Sequence, residues 1–92
     1  MKLREGFAAA LRETRKHQEL TQEDFSNVSS RTYLSTLERG IKSPTLDKLE
    51  EIASVIGIHP VTLVAIAYCK VEKVDLETFC EKIRLDAKKF SI

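Results

Sequence analysis

The 92-residue chain predicts an all-α domain, and three observations carry that reading. Its apolar residues recur at steps of three and four and do not alternate singly with polar ones over any long stretch, so helices fit and a strand-rich sandwich does not. Three glycines and two prolines are too few for the many turns of an all-β fold. Leu, Ile, Val and Phe make up 27 of the 92 residues, above the ~20% below which disorder becomes the expectation. A chain of this length holds one hydrophobic core.

The elements follow in order. Leu3, Phe7, Ala10, Leu11 and Thr14 form one stripe, with Arg4, Glu5, Arg12, Glu13, Arg15 and Lys16 between them, which predicts a first amphipathic helix over 3–17. Thr21 with Asp24 three residues on resembles a capping box and opens a short second helix at Gln22. Ser29 and Ser30 are N-cap candidates for a third helix over 31–39, which buries Leu34 and Leu37 and ends at Gly40 as the left-handed residue past its C-terminus. Pro44 and Thr45 introduce a fourth over 46–56, stopped by Gly57. Pro60 suits the first turn of a fifth, in which Val61, Leu63, Val64, Ala65, Ile66, Ala67 and Tyr68 leave almost no polar face. Asp75 caps a sixth, with Leu76, Phe79, Cys80, Ile83, Ala87 and Phe90 on its stripe and Lys82, Arg84, Lys88 and Lys89 mostly outside it.

Composition excludes more than it assigns. Fifteen Lys and Arg against fourteen Asp and Glu give a net charge of +1, so binding to nucleic acid would need a local patch rather than a whole-molecule field. No phosphate-binding glycine loop, no nucleophile elbow and no His/Cys cluster at metal spacing occurs, and His17 and His59 read as surface or capping residues. The chain is therefore expected not to be an enzyme, with no catalytic residues, no metal and no cofactor. The N-terminus has no apolar signal core and Val61 to Cys69 is too short for a span, so a soluble, cytoplasmic protein without a membrane partner is expected. Cys69 and Cys80 are too few for a disulfide framework and are expected as buried thiols.

The informative stretch is 22–44, QEDFSNVSSRTYLSTLERGIKSP. Two short helices joined by a tight turn, the second turning Arg31, Thr32, Ser35 and Thr36 outward while burying Leu34 and Leu37, suit a helix offered to a groove. Gln22, Tyr33, Arg39, Lys42 and Ser43 around it suit phosphate oxygens, and Arg31, Arg39 and Lys42 against Glu38 leave the reading helix and its following loop net positive.

The segments LRETRKHQELTQEDF, RTYLSTLERGIKSPTLDKLEEIA and IGIHPVTL together resemble the Xre-type helix-turn-helix family of phage repressors and Cro proteins, which includes restriction-modification controller proteins. The resemblance spans about residues 7–64. It implies a compact five-helix repressor-like domain, bound as a homodimer to a double-stranded DNA operator, with the third helix in the major groove. By position, Arg31, Thr32 and Thr36, with Ser35 on the same face, stand where the family reads base edges. Thr21, Gln22, Tyr33, Arg39, Lys42 and Ser43 stand where it holds the backbone. Arg15 and Glu38 match a pair that links the first helix to the third. Between Gln22 and Gly40 the chain is two residues shorter than the family pattern. No glycine stands in the turn at Asn27, Val28 and Ser29, so Asn27 is expected to take the left-handed conformation there.

The division expected is a DNA-binding domain over 1–70 and a helical extension over 71–92, for dimerisation or regulation. The greasy fifth helix supplies the expected dimer contacts, Val61, Val64, Ile66 and Tyr68. A second reading keeps the fold but recruits a protein, as an antitoxin or a transcription-partner recruiter does, without reading bases. The sequence specifies no small-molecule effector.

Overall fold

The computed structural model describes residues 1–92 and contains helices only: α1 (Leu3–His17), α2 (Arg31–Glu38), α3 (Leu46–Ile56), α4 (Pro60–Glu72) and α5 (Leu76–Lys88), with a 3-10 turn at Gln22–Phe25 between α1 and α2. The sixfold division expected from periodicity holds, but the second helix is that single 3-10 turn. Asp24 Oδ2 accepts from the Thr21 amide at 2.7 Å, the carboxylate half of the expected capping box.

The turn that follows corrects the expectation for Asn27. Glu19, Lys73 and Ser91 are the non-glycine residues with positive φ, and Asn27 is not among them. The chain instead winds on in the right-handed sense, with the amides of Val28 and Ser29 donating to the Phe25 carbonyl at 3.0 and 2.9 Å. Lys48 of α3 donates to the Val28 carbonyl, which pins the turn from outside. Ser30 then caps α2 through its Oγ, which accepts from the Tyr33 amide at 3.1 Å.

Phe25, Leu11, Leu34, Leu37, Ile52 and Leu63 are the largest fully buried side chains, so every element from α1 to α4 contributes to one core. α4 lies against α1, α3 and α5. Its approach to α1 is close enough that a Cβ on Gly6 would stand 2.6 Å from Val71 Cγ2 and 2.7 Å from the Ala67 carbonyl oxygen, which only glycine avoids. Gly57, at φ 86°, ends α3 as expected, and Pro60 opens α4 behind His59, whose Nδ1 accepts from the Val61 amide. No single helix is long and apolar enough to cross a membrane.

α5 differs from the rest. It packs on α4 through Phe79, whose ring stacks on Tyr68 with centroids 5.7 Å apart, and none of its residues is buried. This corrects the expectation of two buried thiols: Cys69, on α4, is half-buried and Cys80, on α5, is exposed. Partial desolvation pushes the Cys69 thiol above its ordinary value, and the neighbouring Cys80, Asp75 and Glu72 add to that shift.

Candidate nucleic-acid interface

The local sequence of α2 explains which way it faces. Leu34 and Leu37 are fully buried and Glu38 is 5% exposed. The helical repeat therefore sends Arg31, Thr32 and Arg39 to solvent, with Ser35 and Thr36 half-exposed beside them. The helix is fixed on its inner side by the one buried acid. Glu38 receives a bidentate grip from Arg15, Nε to Oε2 at 2.6 Å and Nη2 to Oε1 at 2.9 Å. Gln22 Nε2 adds a bond to Oε1 at 3.2 Å. Arg15 also donates to the Leu20 carbonyl at 2.9 Å, and Arg12 donates to the Glu38 carbonyl. One carboxylate thereby ties α1, the 3-10 turn and α2 together. The bond from Glu38 raises the Arg15 pKa further above its ordinary value, against the opposing pull of burial.

The outward face has the opposite character. Arg31, Arg39 and Lys42 make no ion pair, although six such pairs occur elsewhere in the molecule. Arg31 and Arg39, unpaired along one depression, give a local positive potential that the net charge of +1 conceals. Gln22, Arg31, Thr32, Ser35 and Arg39 line one open depression along α2. Thr36 is not part of it, and its hydroxyl donates to the Tyr33 carbonyl at 2.6 Å.

Tyr33 lies on the other flank, lining a second open depression with Ser26, Val28, Ser29, Ser30 and Lys48. Polar groups suited to phosphate therefore stand on both sides of α2. Thr21 is exposed beside the 3-10 turn. Lys42 and Ser43 are exposed in the segment after Gly40, whose φ of 71° makes the sharp exit from α2. Ser43 lies at the rim of an apolar pocket formed with Leu3, Phe7, Leu46, Leu49 and Val64. Lys48 was not singled out by the sequence, because its contact with Val28 joins residues 20 positions apart.

Of the residues expected at a dimer contact, Val61 is 59% exposed. Val64, Ile66 and Tyr68 are half-covered within the chain, the first two by the core and the last by Phe79. No cluster of three or more His, Cys, Asp and Glu side chains suits a metal ion.

The helix-turn-helix family pattern matches residues 11–63, from the middle of α1 to the first turn of α4. An HTH-type transcriptional regulator of Sinorhizobium fredii (strain NBRC 101917 / NGR234) is 44% identical over 52 residues, which cover 54% of this chain and 68% of that protein. No solved structure matches.

Proposed function

Since this chain belongs to the Xre-like, Cro/C1-type helix-turn-helix family, we propose that it is a cytoplasmic, homodimeric transcriptional regulator that reads operator DNA with α2 in the major groove. DNA binding and a role in transcription follow from the family. One observation supports the finer reading: α2 has a buried acid clamped on its inner side and unpaired Arg31 and Arg39 among hydroxyls on its outer side.

The roles divide by position. Arg31, Thr32, Ser35 and Thr36 face base edges, and the Arg31 guanidinium suits the O6/N7 fork of guanine. Thr21, Gln22, Tyr33, Arg39, Lys42 and Ser43 face phosphates. The Nε2 of Gln22 already bonds Glu38, so its phosphate contact and its hold on the scaffold are coupled. Arg15 and Glu38 set the angle of the reading helix. Residues 1–70 form the DNA-binding part and 71–92 the extension, the boundary falling within the last turn of α4. Two copies related by a two-fold axis would present two α2 helices to half-sites one helical turn, about 34 Å, apart.

Selection of bound duplexes from a random pool tests this reading. The expected product is a two-fold symmetric site whose affinity falls steeply with salt as counterions are released. Recovery of no enriched sequence, with no salt-dependent retardation of any duplex, would overturn it in favour of a protein-recruiting module.

A further inference from the structure

α5 carries an apolar seam that its own chain leaves uncovered. Leu76, Cys80, Ile83 and Ala87 of α5, with Phe90 in the turn just past its end, stand at alternating steps of four and three, the a/d spacing that holds one stripe of a helix against a partner helix. Leu76 is 53%, Ile83 46% and Phe90 74% exposed. The contact with α4 uses the flank of this stripe, where Phe79 stacks on Tyr68. Charge is polarised along the same helix. Asp75, Glu77 and Glu81 occupy its first half, while Lys82, Arg84, Lys88 and Lys89, opposed only by Asp86, occupy its second.

We propose that α5 pairs antiparallel with α5 of a second copy of this chain. The proposal rests on the homodimeric reading above and specifies where the two copies meet. Antiparallel pairing lays the acidic half of each helix along the basic half of the other, twice by symmetry, whereas parallel pairing sets like ends together. In the register that aligns the seams, Leu76 packs on the partner's Ala87 and Cys80 on the partner's Ile83. Glu77 then faces the partner's Arg84 across the rim. Arg84 is held in its own helix only by Glu81, in a pair whose side chains are 57% and 53% exposed, so it is available for exchange. At thirteen residues, α5 is about 20 Å long, a small contact that fits micromolar rather than nanomolar self-association.

Sedimentation equilibrium of the full chain over roughly 10–200 µM tests this, a range chosen for an interface of that size. The wild type is expected to dimerise and Ile83→Glu to be monomeric. Because Ile83 is exposed, circular dichroism should show the core of that variant intact. Glu77→Lys and Arg84→Glu should each weaken the dimer about tenfold or more, and the two together should restore it. Mild oxidation of Ile83→Cys should give a covalent dimer through Cys80 and the introduced thiol. A monomeric wild type would overturn the dimeric reading and this inference together. A wild-type dimer that survives Ile83→Glu would overturn this inference alone and place the contact on α4. Efficient cross-linking of the two introduced thiols of Leu76→Cys in a Cys80→Ser background, which the antiparallel register holds about 16 Å apart along the helix axis, would show a parallel pair and overturn the antiparallel arrangement.

Discussion

Two arginine–glutamate pairs in this molecule have the same closest distance and opposite consequences. Arg15 and Glu38 meet at 2.6 Å with side chains 12% and 5% exposed, whereas Arg84 and Glu81 meet at 2.6 Å with side chains 57% and 53% exposed. The first joins residues 23 positions apart and has Gln22 on the same carboxylate, so it fixes one element against another. The second lies within one turn of α5 and fixes nothing beyond that helix. Separation is thus a poor guide to what an ion pair does. Burial and the number of elements it joins decide, because water screens the outer pair and is excluded from the inner one.

The comparison is broken most forcefully at Glu38. Glu38→Ala strands a largely buried guanidinium and should cost about 2–4 kcal/mol, which for a domain of this size lowers Tm by roughly 10–25 °C. Glu81→Ala should leave the Tm of the core unchanged. Differential scanning calorimetry on both variants checks the contrast, and equal melting temperatures would refute it.

A smaller effect is expected where the two regions join. Lys73 ends α4 with φ 55°, a left-handed conformation that costs a side-chain-bearing residue more than glycine. Lys73→Gly should therefore stabilise the α4–α5 junction by roughly 0.5–1 kcal/mol. Hydrogen exchange at the first amides of α5 reads this directly, and faster exchange there would count against it.

The smallest effect is acid fraying of α5. The Thr78 amide lowers the pKa of Asp75, Arg84 lowers that of Glu81, and Lys82 with Lys89 lowers that of Asp86. All three carboxylates thus favour the folded helix while ionised. Their stabilisation is present above the ordinary carboxylate range of about 3.9–4.3 and is lost as pH falls through their lowered values. Amide resonances of α5 should broaden or shift below about pH 4 before those of α1. Simultaneous loss in both helices would show that α5 is no more labile than the core.

The contrast between the two regions also explains what the sequence made legible. Gly40, Gly57, Pro44 and Pro60 act through the backbone of their own neighbourhood, so the bounds of α2 and α3 and the start of α4 could be read nearly to the residue. The 3-10 turn at Gln22–Phe25 could not, since its form depends on how Phe25 enters the core and how Lys48 of α3 caps the following turn. The Arg15–Glu38 pair was reached only through the family resemblance, because no local pattern links residues on α1 and α2. The outward residues of α2 followed from periodicity once Leu34 and Leu37 were taken as buried. Tyr68 and Ile66 were expected at a dimer contact because α4 has no polar face, and periodicity could not show that Phe79 stacks on one and the core half-covers the other.

The central claim is that α2 reads bases, and binding of Arg31→Lys and Lys42→Ala across a panel of single-base operator variants tests it most directly. Lysine cannot copy the bidentate fork of arginine on guanine. Arg31→Lys should therefore flatten preference at one base pair of each half-site, with a loss of ~1–3 kcal/mol for the preferred base. Lys42, exposed beyond Gly40, should touch only phosphate. Lys42→Ala should weaken all variants by similar factors and reduce the salt slope by ~1 per half-site. Uniform weakening of every sequence by both substitutions would contradict base reading through Arg31.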